Sequence, residues 1–210
     1  MMCEPVYSKL KVLRLGFDHN TVLDGTSLQT MLHNLPQLET LHLELPRHSQ
    51  GLDFSSSHPH LRTFHLIGHN NLDRQVFHFL KQHPTIEYLQ LHWGGPSVLD
   101  DHDLPRLKAL GIGQINGPPT LLIHSAGRII THLYAHDLPD LPNEYIFQRI
   151  EGVSSTLRHL ELGWWVESFR KDMPVFRRML RLVPRLEELR IIAESDGASD
   201  QLSAKDLVST

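Results

Sequence analysis

His58-Pro59-His60-Leu61-Arg62-Thr63-Phe64-His65-Leu66 carries three of the sixteen histidines in the chain, which at first sight invites a metal site. Its apolar residues decide otherwise. Leu61, Phe64 and Leu66 form the pattern apolar-x-x-apolar-x-apolar, and the pattern recurs. It reads LKVLRL from Leu10, LETLHL from Leu38, IEYLQL from Ile86, LKALGI from Leu107, ITHLYA from Ile130, LRHLEL from Leu157 and LEELRI from Leu186.

The eight starts are separated by 28, 23, 25, 21, 23, 27 and 29 residues, a regularity that chance does not sustain. Five units also carry proline two residues before the first apolar position: Pro36, Pro59, Pro84, Pro105 and Pro184. Proline there stops a preceding helix and biases the residue before it to extended geometry, so the chain turns into a strand. Four of the spacers have helical apolar spacing: Ser27 to Leu35, Leu72 to Gln82, Glu144 to Val153 and Pro174 to Leu182. Thr26, Asn71, Asn143 and Asp172 or Met173 stand near their starts as candidate caps. The spacers after Leu43, Leu91 and Ile112, rich in proline, glycine and serine, predict loops or single turns. Each unit is thus a short strand, a turn, and a helix or loop returning to the next parallel strand by a right-handed crossover.

These residues resemble the leucine-rich repeat superfamily, over roughly residues 8 to 193, and the x-Pro-x-Leu-x-x-Leu-x-Leu form is similar to the repeat region of fungal F-box proteins. The resemblance implies an α/β leucine-rich repeat solenoid, or horseshoe. Its concave face is a parallel sheet of about eight strands, and its convex side carries irregular helices and loops. The repeat domain is placed at 1–193 and a polar tail at 194–210. The position where many repeats hold an asparagine ladder reads Asp18, Pro46, His69, Gly94, Ile115, Leu138, Trp165 and Glu194, so no such ladder is expected. F-box relatives dock on a ubiquitin ligase through a helical segment ahead of the repeats. The first repeat here begins by Leu10, so contact with ligase components would come through a further N-terminal region.

Composition narrows the function. The 210 residues are 40% apolar and 21% charged, the balance of a folded globular chain. A net charge of −4 gives no basic bias for nucleic acid, and no apolar run reaches the roughly 20 residues of a membrane span. The single Cys3 and the lack of any Asn-x-Ser/Thr sequon favour a reducing compartment, cytoplasmic or nuclear. Protonating all sixteen histidines would move the charge from −4 to +12, so the surface should respond to pH near 6.5.

Alternation along each strand sends the motif leucines inward and the residues between and beside them to the concave face. The candidate protein-binding residues are therefore Arg14, His42, Glu44, His65, Tyr88, Gln90, His92, His132, Tyr134, His136, His159, Glu161, Glu188 and Arg190. Phe17, Trp93 and Trp164, each just after its motif, are candidate aromatic anchors. His58 and His60 fall in the turn, outside this face.

Two histidine groups, His42 with His65 and His92, and His132 with His136 and His159, have a spacing that permits a metal without demanding one. Gly111-Ile112-Gly113 with Gly117 lacks the third glycine of a dinucleotide loop and lies inside a strand. No HExxH, GxSxG or Walker motif occurs, and the arginines between Arg170 and Arg190 are interrupted by Asp172, Glu187 and Glu188, as on a solvated face. Neither an enzyme nor a cofactor is expected. The expected function is a protein-protein interaction module, of the kind the F-box resemblance implies for substrate recognition. A histidine-rich metal-binding protein or metalloenzyme, and an incomplete fragment of a larger repeat protein, are the alternatives.

Overall fold

The structure, a computed structural model, describes residues 9–18, 21–46, 48–50, 52–68, 73–92, 102–112, 128–135, 150–165 and 173–194. The motif strands are β1 (Val12–Gly16), β3 (Thr40–Glu44), β5 (Thr63–Ile67), β6 (Tyr88–His92), β7 (Ala109–Ile112), β8 (His132–Ala135), β9 (His159–Trp165) and β10 (Glu188–Glu194). They form one parallel eight-stranded sheet in that order, so each unit pairs with the next in the chain. The α/β class and the strand count read from the sequence are both present. A second sheet was not anticipated: β2 (Val22–Asp24) pairs in parallel with β4 (His48–Gln50), in spacers whose composition predicts a helix and a loop.

Five of the strands start alike because their prolines make one kind of turn. The carbonyl of the residue before each proline accepts the N–H three residues on: Leu35 from Leu38, His58 from Leu61, His83 from Ile86, Leu104 from Leu107 and Val183 from Leu186, at 3.0 to 3.2 Å. Proline thus sits at the second position of a β-turn, where its fixed φ is already correct. One further carbonyl then receives two N–H groups from the next unit. Lys11 O takes those of Glu39 and Thr40, Glu39 O those of Arg62 and Thr63, and the pattern continues to Arg158 O with Glu187 and Glu188.

Side chains at that same step alternate in sign from Lys11 to Lys108, after which Thr131 stands neutral between two cations. Lys11, Glu39, Arg62, Glu87, Lys108, Thr131, Arg158 and Glu187 occupy it, with ion pairs Lys11–Glu39 at 2.7 Å, Arg62–Glu87 at 3.5 Å, Lys108–Glu87 at 2.7 Å and Arg158–Glu187 at 3.4 Å. Each pair has an exposed partner, although Glu87 itself is only 17% exposed, so each contributes little to stability.

Inward, Leu41, Leu43, Phe64 and Leu66 are fully buried, while Leu13 and Leu15 of the edge strand β1 are half-buried. Helices α1 (Gly25–His33), α2 (Asp73–Gln82) and α3 (Met173–Leu182), together with helical residues 150–153, cover this side. Each presents an apolar stripe: Leu28 and Leu32 on α1, Val76, Phe79 and Leu80 on α2, and Phe176 and Met179 on α3. Arg177, Arg178 and Arg181 lie on the exposed side of α3, as expected of a solvated face. Among the described residues no helix is long and apolar enough to cross a membrane.

The cap of α1 is Asp24, not Thr26. Asp24 is extended, at φ −75° and ψ 98°, and its carboxylate accepts the Thr26 N–H at 3.0 Å and the Ser27 hydroxyl at 2.6 Å. These bonds hold the Asp24 carboxyl below its ordinary pKa. Asp24→Ala is expected to lower the melting temperature by about 2–4 °C, with Asp24→Asn restoring most of the loss. Circular dichroism melts of the two variants decide it; equal losses would place the effect outside the cap.

His58 stands in the turn before the strand, as expected, and its ring is buried there. The position before the proline is buried, and it reads Leu35, His58, His83, Leu104 and Val183. His83 Nδ1–H donates to Phe79 O at 2.6 Å, which leaves Nε2 free to accept the His58 backbone N–H at 2.9 Å. His58 Nδ1–H in turn donates to Leu35 O at 3.2 Å, and the two rings stack at 5.8 Å. Burial lowers the pKa of both. The fold therefore has a short polar ladder ahead of its strands, made of neutral histidines, rather than an asparagine ladder after them.

Candidate functional site

The strand register brings the outward residues into rows. Arg14, His42, His65, Gln90, Gly111, Tyr134, Glu161 and Arg190 are successive partners across the sheet. So are Val12, Thr40, Thr63, Tyr88, Ala109, His132, His159 and Glu188. A third row holds Gly16, Glu44, Ile67 and His92. His136 and Trp93 lie outside the described residues, as does the side chain of Trp164. Phe17 is half-buried and packs against the core.

A trough runs along this open face over six adjacent strands, with a volume of about 260 Å³. Arg14 stands at one end, Thr40, His42, Thr63 and His65 follow, and Tyr88, Gln90, Ala109, Gly111 and Tyr134 line the other end. Strand alternation in the sequence puts Ala109 and Gly111 on this face, but neither stands among the candidate contact residues. The signal was available: β7 is the one unit whose residues in both long rows are small. A Cβ on Gly111 would come within 2.6 Å of Gln90 Cγ, so the absent side chain is what lets Gln90 lie across the floor.

The histidines do not converge on a point. His42 and His65 are tilted rings 3.9 Å apart, and His92 stacks on the other side of His65 at 5.4 Å. Their outer nitrogens are taken separately: His42 Nε2–H donates to Glu44 at 3.1 Å, and the Gln90 amide donates to His92 Nε2 at 2.8 Å. His65 Nε2 is buried with no hydrogen-bond partner. Burial, then the neighbouring His42 and His92 rings, push the pKa of His65 down to about 3, so at neutral pH it is an uncharged, largely apolar ring. Among the described residues no group of three His, Cys, Asp or Glu could hold a metal ion.

A second polar group lies on β8 to β10. His132 and His159 stack nearly parallel at 4.1 Å, His159 faces Glu188 at 3.7 Å, and Arg190 bonds Glu161 at 3.0 Å. Burial and the His159 ring lower the pKa of His132. Burial, Glu161 and Tyr88 raise that of Tyr134, which keeps its hydroxyl a donor. The surface thus offers pre-positioned hydroxyl, amide and imidazole groups beside apolar rings.

No family model matches the chain, and no curated protein and no solved structure matches it.

Proposed function

We propose that the chain is a non-enzymatic protein-binding module: a leucine-rich repeat solenoid, curved as a horseshoe, whose concave face takes up a segment of another protein. It would serve as the substrate-recognition repeats of an F-box-type ubiquitin ligase adaptor. The observation that carries the reading is the trough itself. It draws on six neighbouring strands, and two of its side chains are held by neighbours just outside it, His42 by Glu44 and Gln90 by His92. Side chains already fixed before binding lose little entropy on association, which favours a recognition surface.

Affinity capture with quantitative mass spectrometry tests this. The paired substitution His65→Ala and Gln90→Ala is expected to remove the captured proteins. Arg177→Ala with Arg181→Ala, on the outer side of α3, is expected to retain them. Equal capture by both variants would place binding off the sheet. For the ligase role, the proteins lost with the first variant are expected to accumulate when the proteasome is blocked; unchanged levels would remove that half of the proposal.

A further inference from the structure

We propose that the outer edge of β1 is a second binding site, which takes up an extended acidic segment of another protein as a further strand of the sheet. The edge adjoins the Arg14 end of the trough but binds through the strand's backbone, so neither reading depends on the other.

The backbone carries the first argument. Along β3 the Thr40 N–H donates back to Lys11 O of β1, and Glu44 O accepts the Phe17 N–H. Strand alternation gives His42, between them, the same direction. Their register partners on β1 are Val12, Arg14 and Gly16, whose backbone groups point the same way, and among the described residues β1 pairs with β3 alone. Such an edge is a template for one more strand. The side chains show the same missing neighbour. Leu41 and Leu43 of β3 are fully buried, whereas Leu13 and Leu15, in register with them, are half-buried and Val12 is 49% exposed.

Charge selects the occupant. Residues 9–17 hold Lys9, Lys11 and Arg14 and no acid. All three are exposed, and Arg14 makes no ion pair among the described residues. Two such edges repel each other, which is how basic residues protect an open strand, while an acidic strand is drawn in. Head-to-tail addition of a second copy fits less well, because Glu187 beside Lys11 would bring Arg190 against Arg14. The ion pairs within the sheet give the rule for the partner. Glu87 shares its charge between Arg62 and Lys108, as Lys11 would between Glu39 and an incoming acid, and Arg190 takes Glu161 in the row that holds Arg14. A parallel partner strand therefore reads acid, any residue, apolar, acid, apolar, with its acids beside Lys11 and Arg14 and its apolar residues beside Leu13 and Leu15.

Selection of a random twelve-residue peptide display library on the full chain, followed by fluorescence anisotropy of a labelled winner, tests the site. Enriched peptides are expected to carry that five-residue pattern and to bind the His65→Ala plus Gln90→Ala variant unchanged. Val12→Pro removes an N–H that points away from β3, so the fold should hold while binding falls at least about tenfold. Arg14→Glu should weaken binding severalfold, and changing the peptide's second acid to lysine should restore it; loss without rescue would overturn the charge assignment. Hydrogen exchange gives a readout that needs no variant. The amides of Val12, Arg14 and Gly16 should exchange rapidly in the free chain and slow when the peptide is added. Slow exchange in the free chain would mean that the edge is already covered, and would overturn the proposal. Self-association that grows with concentration and disappears with Val12→Pro would do the same by making a second copy the occupant. A selection whose winners all depend on His65 and Gln90, and none on Val12, would leave the trough as the binding surface and remove the edge site.

Discussion

Replacing Phe79 with alanine is expected to lower the unfolding free energy by about 3–5 kcal/mol. Phe79 is fully buried on α2, and its ring meets Phe64 of β5 at 4.8 Å, Phe54 at 5.5 Å and His83 at 4.0 Å. Three parts of the chain therefore share one side chain. Phe54 adds to the effect. Its backbone is left-handed, at φ 53°, which a non-glycine residue adopts at a cost of about 1–2 kcal/mol. Burial between Phe64 and Phe79 offsets that cost, and the alanine removes half of the enclosure. Phe79→Leu keeps most of the volume and should lose about 1.5 kcal/mol or less. Urea unfolding at fixed m-value measures both; a loss under about 1 kcal/mol for Phe79→Ala would show that the three rings do not form one packed unit.

The second large effect is acid destabilisation at mild pH. His58, His65, His83 and His132 all have pKa values lowered in the folded state, with burial the leading cause. The unfolded chain therefore takes up their protons first, near pH 6.5. The stability these groups confer is complete above that pH and is lost as pH falls below it. For His65, whose folded value is about 3, the loss between pH 7 and pH 5 is about 1–2 kcal/mol after allowing for its partial exposure. Charge near His65 comes from His42 and His92 on its own face, with Glu44 beyond His42, and the two rings oppose its protonation. The lowered carboxyls of Asp24, Glu39, Asp53 and Glu87 act in the same direction but only below about pH 4.5, so the two windows separate. Melting temperature measured from pH 8 to pH 5 should fall below pH 6.5, and His65→Gln should flatten the fall. A constant melting temperature across that range would mean these rings are not held neutral.

The sheet was legible because its signal is translational. One pattern repeated eight times fixes strand order, direction and register together, and the partners Thr40, Thr63 and Tyr88 follow from it without further information. What stayed hidden depends on relations that cross the period. β2 and β4 pair two spacers with no shared motif, and Asp24 caps α1 only because β2 ends there in extended geometry. His58 and His60 look equivalent beside Pro59, but one faces the core and the other solvent. Their difference lies in the burial of the position before the proline, and the leucines at Leu35 and Leu104 announce it only once the units are aligned. The place Gly111 makes for Gln90 was visible only as an absent side chain, and a search for functional groups looks past an absence.

The alternating charges along the strand entrances bear on how such a chain can change in length. Repeat proteins gain and lose whole units by duplication and deletion. From Lys11 to Lys108 the signs run positive, negative, positive, negative, positive. Copying a single unit within that run would set like charges on adjacent strands, a small penalty at each new junction. Copying two together restores the alternation. The ladder thus gives this stretch a parity, under which units are added or removed most easily in pairs, and a record of that parity would persist in the sequence long after the copies had diverged.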